Sequence, residues 1–164
     1  GGPPPGPGPR AGAGQSAQRP PPSLPPATPA RPGRTFRAAG AAEALASIGD
    51  RAEIILLTAM PPRHRAAGIG HLDGLGFQYP LLTTEMAKGP AIERLRGPNM
   101  RPVAFVDDQP RNLVSAMERV PDAHLFHLMS DTSLRALIPA PPAGVHVVED
   151  WGEATPMIVR ALGI

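Results

Sequence analysis

The stretch that most constrains this chain is Val103-Ala104-Phe105-Val106-Asp107-Asp108. Apolar, strand-type side chains run directly into two adjacent carboxylates. Pro110 then opens a segment in which Leu113, Met117 and Val120 recur at helical spacing. The unit predicts a buried strand, an acidic loop and a helix. In an open α/β sheet that loop, at the carboxyl end of a strand, is where ligands bind. Two neighbouring carboxylates there repel each other unless positive charge lies between them, and hard cations such as Mg²⁺ take oxygen ligands of this kind. An isolated Asp-Asp turn is more often a solvated helix cap, so the pair has to be weighed with what precedes it.

Upstream, Ala38 to Ile48 has helix composition, with Ala41, Ala42, Leu45 and Ile48 as its apolar face and Gly49 as a stop. Ile54-Ile55-Leu56-Leu57 is a wholly apolar run ending at Thr58, the pattern of a buried parallel strand. Pro61 and Pro62 open a helix with Ile69, Leu72 and Leu75. Tyr79 to Leu82 reads as a second strand, and Lys88 follows in a loop before a helix starting at Pro90. Downstream, Ala123 to Met129 alternates weakly as a strand, residues 131–138 form a short helix, and Val145 to Val148 form an edge strand. Asp150 and Glu153 have the spacing of a capping box for the last helix, which Pro156 is expected to kink. Strands alternating with helices predict βαβ units and a parallel sheet.

Residues 1–34 hold 12 of the 24 prolines, and Leu24 is their only large aliphatic side chain. Such a segment buries too little apolar area to offset its ordering entropy, so a disordered Pro/Gly/Arg-rich tail is expected over 1–34 and an α/β domain over 35–164. All five arginines of residues 1–40 stand without an acid, and the remainder carries 11 basic and 14 acidic groups. The folded part is mildly acidic and offers no nucleic-acid footprint. No apolar run spans a membrane and no signal-peptide core is present, so the expected compartment is the cytoplasm, with no membrane partner. Cysteine is absent, which excludes disulfides and thiolate metal sites.

Three polar signals fall at strand ends or loops: Thr58, Lys88 and Asp107-Asp108. Together they suit a phosphate. The Thr58 hydroxyl and the Ala59 backbone N–H that follows it can donate to phosphoryl oxygens. Lys88 is a point charge for the phosphate and a restraint on the carboxylates. The carboxylates can hold Mg²⁺. Asn112, in the first turn of its helix, can reach the acidic loop. The five histidines lack metal-ligand spacing: His64 and His71 are seven apart, and His124 and His127 point to opposite faces of a strand.

In order and context these stretches resemble motifs of the haloacid dehalogenase-like hydrolases. Ile54-Ile55-Leu56-Leu57-Thr58 is similar to the second motif, Lys88 heading Gly89-Pro90-Ala91-Ile92 to the third, and Val103 to Asp108 to the fourth. Receiver domains use the same residue types, but with the acidic pair first. The resemblance spans about residues 38–164. It implies a three-layer Rossmann-like parallel sheet and Mg²⁺-dependent phosphoryl transfer from a small phosphorylated substrate. Lys88 and Thr58 would be catalytic; Thr58, Ala59, Lys88 and Asn112 would bind phosphate; Asp107 and Asp108 would hold the metal weakly. The family's first motif, an apolar strand ending in Asp-x-Asp that supplies the nucleophile, has no counterpart: residues 1–42 contain no Asp. The expectation is therefore an incomplete sheet that lacks its first strand, does not turn over phosphate esters and tends to self-associate. The alternatives are a non-catalytic binding protein of that fold and a truncated gene product.

Overall fold

The computed structural model describes residues 1–2, 40–129 and 131–164. The chain divides into two compact units, Gly1–Ala30 and Arg31–Ile164. Of the first, only the exposed Gly1 and Gly2 are described. The expected tail, and its boundary at residue 34, lie outside the described residues.

The second unit is mixed α/β. In order it contains α1 (Ala41–Gly49), β1 (Leu56–Thr58), a 3₁₀ turn at Pro62–His64, α2 (Arg65–Gly74), β2 (Leu81–Thr83), α3 (Lys88–Arg96), β3 (Ala104–Asp107), α4 (Pro110–Arg119), β4 (His124–Leu128), a second 3₁₀ turn at Thr132–Leu137, β5 (Val145–Val148) and α5 (Trp151–Leu162). The strands form two parallel sheets, β1-β2 and β3-β4-β5. Leu56 aligns with Leu81, Ala104 with His124 and Leu125 with Val145.

Helices cover both faces of the strands. α1, α2 and α5 share one apolar cluster with Leu56, Leu81, Phe126 and Val148, whereas α3 and α4 share another with Leu125. The two-residue period of a strand divides β3 between them. Ala104 and Val106 pack toward the first cluster, Val103 and Phe105 toward the second. β4 lies between β3 and β5, with a cluster on either face. Leu125 to Leu128 are therefore all buried, not alternating.

Several boundaries differ from expectation, each for a local reason. In α1 it is Ala44, not Ala42, that joins Ala41, Leu45 and Ile48 in the core, since Ala44 is one turn from Ile48. β1 is shorter than the apolar run that predicts it, because only Leu56 to Thr58 reach β2. In α2 only Leu72 is buried; Leu75 caps the helix and is 42% exposed. Lys88 is the first residue of α3, not part of a loop, and Pro90 sits inside the first turn, where no amide donor is missed. Glu153 N–H donates to Asp150 Oδ1 at 2.9 Å as a capping box requires, but the reciprocal bond comes from Glu149 N–H, one residue earlier, at 2.8 Å. α5 continues through Pro156 as a single helix.

α3 and α4 meet at Gly89. A side chain there would overlap the Ser115 carbonyl, and the Gly89 N–H donates to Ser115 Oγ at 3.0 Å. Only glycine lets the two helices approach this closely. That contact fixes the start of α3, and with it Lys88, against the end of β3. Among the described residues, no helix is long and apolar enough to cross a membrane.

Candidate functional site

β3 ends at Asp107, whose buried carboxylate is surrounded by polar partners. Oδ2 accepts from Lys88 Nζ at 2.6 Å, with the side chains 7% and 1% exposed. Oδ1 accepts from the Gln109 backbone N–H at 2.8 Å and from Asn112 Nδ2 at 3.0 Å. A buried ion pair holds only when its remaining hydrogen-bonding capacity is met, and three donors on Asp107 meet it. Lys88 Nζ also lies 5.8 Å from the Phe105 ring centroid, where a cation is attracted to the ring face.

Asp108 is only partly buried, and its carboxyl group is pushed above the ordinary carboxylate value, first by desolvation and then by the neighbouring Asp107 charge; Lys88 works in the opposite direction. On β4, His127 is buried, and its Nε2 lies 3.1 Å from the Asp108 carbonyl oxygen. A carbonyl can only accept, so Nε2 carries the proton. Nδ1 is buried and has no hydrogen-bond partner among the described residues.

Lys88, Asp107, Asp108 and Asn112 therefore come together. Thr58 and Ala59 form no hydrogen bond to any of these four side chains. Thr58 ends β1, and its carbonyl accepts from the Thr84 N–H at 2.9 Å, four residues before Lys88. It shares the carboxyl-end side of the strands, and Ala59 beyond it is exposed. Three further contributors had no signal in spacing. The Gln109 N–H and the Phe105 face depend on loop and strand geometry, and Gly89 matters through a helix approach.

The donor set bears directly on Mg²⁺. Asp107 has both oxygens engaged, and the Asp108 carboxyl accepts from the Gln109 side chain and from its own backbone N–H. Among the described residues, no group of three or more His, Asp or Glu gathers around a common point. Mg²⁺ prefers six oxygens in octahedral array and here would keep most of its waters. No family model, curated protein or solved structure matches this chain.

Proposed function

We propose that the second unit is a haloacid dehalogenase-like domain of three-layer Rossmann-like architecture, and that its strand-end site binds a phosphoryl group without turning it over. The observation that carries this reading is the buried Lys88–Asp107 pair at the carboxyl ends of parallel strands, beside Asp108. Lys88 supplies positive charge at the strand ends and fixes the position of the Asp107 carboxylate. Thr58 and Ala59, at the carboxyl end of β1, would offer a hydroxyl and a backbone N–H to phosphoryl oxygens, and Asn112 and the Gln109 N–H orient the Asp107 carboxylate. Mg²⁺, held weakly by Asp108 and water, would supply charge neutralisation. No described carboxylate besides this pair stands at the site to act as nucleophile, and covalent phosphoryl transfer needs one.

The test pairs binding with turnover. Inorganic phosphate is titrated into the full chain with millimolar-scale Mg²⁺, following Thr58, Ala59 and Lys88 by NMR. Hydrolysis of an aryl phosphate is measured beside an Asp108→Ala control. Saturable shifts at those residues with turnover equal to the control are expected. Turnover well above the control would overturn the non-catalytic reading, and absence of shifts would overturn the phosphate site.

A further inference from the structure

The acidic loop after β3 is held from β4 by one buried side chain. Asp107 and His127 are aligned in the parallel register of the two strands. Val103 and Phe105 of β3 and Leu125 of β4 pack toward α3 and α4, so the two-residue period sends Asp107 and His127 to that face as well. His127 is 4% exposed there, and its Nε2–H donates to the Asp108 carbonyl at 3.1 Å.

The carbonyl that His127 holds and the N–H that Asp107 accepts belong to one peptide unit, the one joining Asp108 to Gln109. It is a trans peptide, planar, with its C=O and N–H pointing in opposite directions. On one side His127 fixes the oxygen; on the other, Asp107 Oδ1 takes the Gln109 N–H at 2.8 Å. The plane is therefore held at both ends and cannot rotate without breaking a bond. Its orientation aims the Asp108 side chain. It also sets Gln109, whose carbonyl accepts from the Asn112 N–H at 2.9 Å at the start of α4, the helix that brings Asn112 Nδ2 to Asp107. A donor on the carbonyl polarises the N–H of the same peptide and strengthens its bond to the carboxylate. Against these gains, Nδ1 of His127 is buried without a partner among the described residues, and an unpaired buried polar atom disfavours the fold. The cluster on that face is otherwise apolar, so stability alone would favour an aliphatic side chain at this position. What histidine adds is the donor at Nε2.

We propose that His127 is a positioning residue of the strand-end site: by clamping the Asp108–Gln109 peptide it fixes the arrangement of Asp107, Asp108 and Asn112 that receives a phosphoryl group. For its ligand this role rests on the proposed phosphate site; the clamp itself does not. His127 acts only through the peptide, and the bond needs nothing more than a proton on Nε2. Leucine at this position would fill much of the space and release the carbonyl. Glutamine, whose side-chain amide can donate from a position close to that of Nε2, would keep the peptide held.

The test uses the full chain, its His127→Leu and His127→Gln variants, and inorganic phosphate with millimolar-scale Mg²⁺. NMR follows exchange of the Gln109 amide and the phosphate-induced shifts at Thr58 and Lys88; thermal melts follow stability. His127→Leu should exchange the Gln109 N–H about five- to tenfold faster and bind phosphate about five- to tenfold more weakly, as loss of one hydrogen bond predicts, while its Tm stays at or above the parent's. His127→Gln should remain within about twofold of the parent in both site readouts. Unchanged Gln109 exchange in His127→Leu, equal losses in the two variants, or faster exchange with unchanged phosphate affinity would overturn the proposal. The ring ¹⁵N spectrum of the unmodified chain decides without either variant: a proton on Nε2 is expected, and a proton on Nδ1 alone would overturn it. If the parent shows no phosphate-induced shifts, the phosphate site fails, and Gln109 exchange with the ring spectrum still decides the clamp.

Discussion

Lys88 and Asp107, nineteen residues apart in sequence, form an ion pair of 2.6 Å with both side chains almost wholly removed from water. Removing one partner of such a pair leaves an uncompensated buried charge, which costs about 3–5 kcal/mol. Lys88→Met is therefore expected to destabilise the fold by that amount, a large part of the total stability of an ordinary domain. The double variant Lys88→Met/Asp107→Asn should recover part of the loss, because the carboxylamide still accepts from Gln109 and carries no charge. Urea unfolding of the three proteins measures this. A single-variant loss below about 1 kcal/mol would mean that the pair is solvated.

Two glycine substitutions in helices should have opposite signs. Gly70, in the middle of α2, has open space where a Cβ would be, so Gly70→Ala should stabilise by about 0.8–1 kcal/mol through helix propensity alone. Gly89→Ala gains the same propensity but drives a methyl into the Ser115 carbonyl. Overpacking of this kind costs about 1–3 kcal/mol, and backbone has little room to give. Thermal melts should rise for the first and fall for the second, with loss of phosphate-induced shifts at Lys88 in the second.

This contrast shows where sequence reading stops. The strand-loop-helix around Asp107 was legible because apolar composition, Pro110 and the Leu113–Val120 spacing are local signals. The same holds for the Asp150–Glu153 cap and the edge position of β5. The nearness of Lys88 to Asp107 followed only from placing both at strand ends. The role of Gly89 was invisible, because nothing local distinguishes a glycine at a helix crossing from one at a helix start. Ile54 to Leu57 reads as a buried strand, yet most of it is only half-buried, and β1 does not pair with β3. Composition reports what a strand is suited to, and burial depends on which neighbours are there.

Arg96 clamps the approach to β3. Its guanidinium grips both carboxylate oxygens of Asp122, with Nη1 to Oδ1 at 2.6 Å, and its Nε donates to the Arg101 carbonyl at 3.0 Å. Between them Met100 is held at φ 49°, left-handed for a residue with a Cβ. Met100→Gly should be close to neutral, since relief of that strain is offset by glycine's entropy. Arg96→Lys should destabilise clearly, because an ammonium cannot form the two-pronged bond. Faster amide exchange at Val103 and Ala104 in Arg96→Lys, unchanged in Met100→Gly, would identify the guanidinium as the clamp. Equal effects would point to the turn itself.

Asp108 and Asp122 should give stability profiles of opposite slope against pH. Asp108 has its carboxyl raised by burial and by Asp107, so its protonated form is the one the fold favours. Its contribution is present below the ordinary value of 3.8 and is lost as pH rises through the raised folded value. Asp108→Asn, permanently uncharged, should therefore be more stable than the parent near pH 7 and should lose that advantage in acid. Asp122 is lowered chiefly by its hydrogen bond to Arg96, so its contribution is present above 3.8 and is lost as pH falls through the lowered folded value. Asp122→Asn should be less stable than the parent at pH 7, and the two should converge in acid. Because Asp122 is largely exposed, salt should shrink its effect, whereas the Asp108 effect, arising first from desolvation, should persist. Thermal melts of the three proteins from pH 7 down to about 2, at low and high ionic strength, separate the cases. Slopes of the same sign would show that Asp108 is solvated and that the acidic loop is open to water.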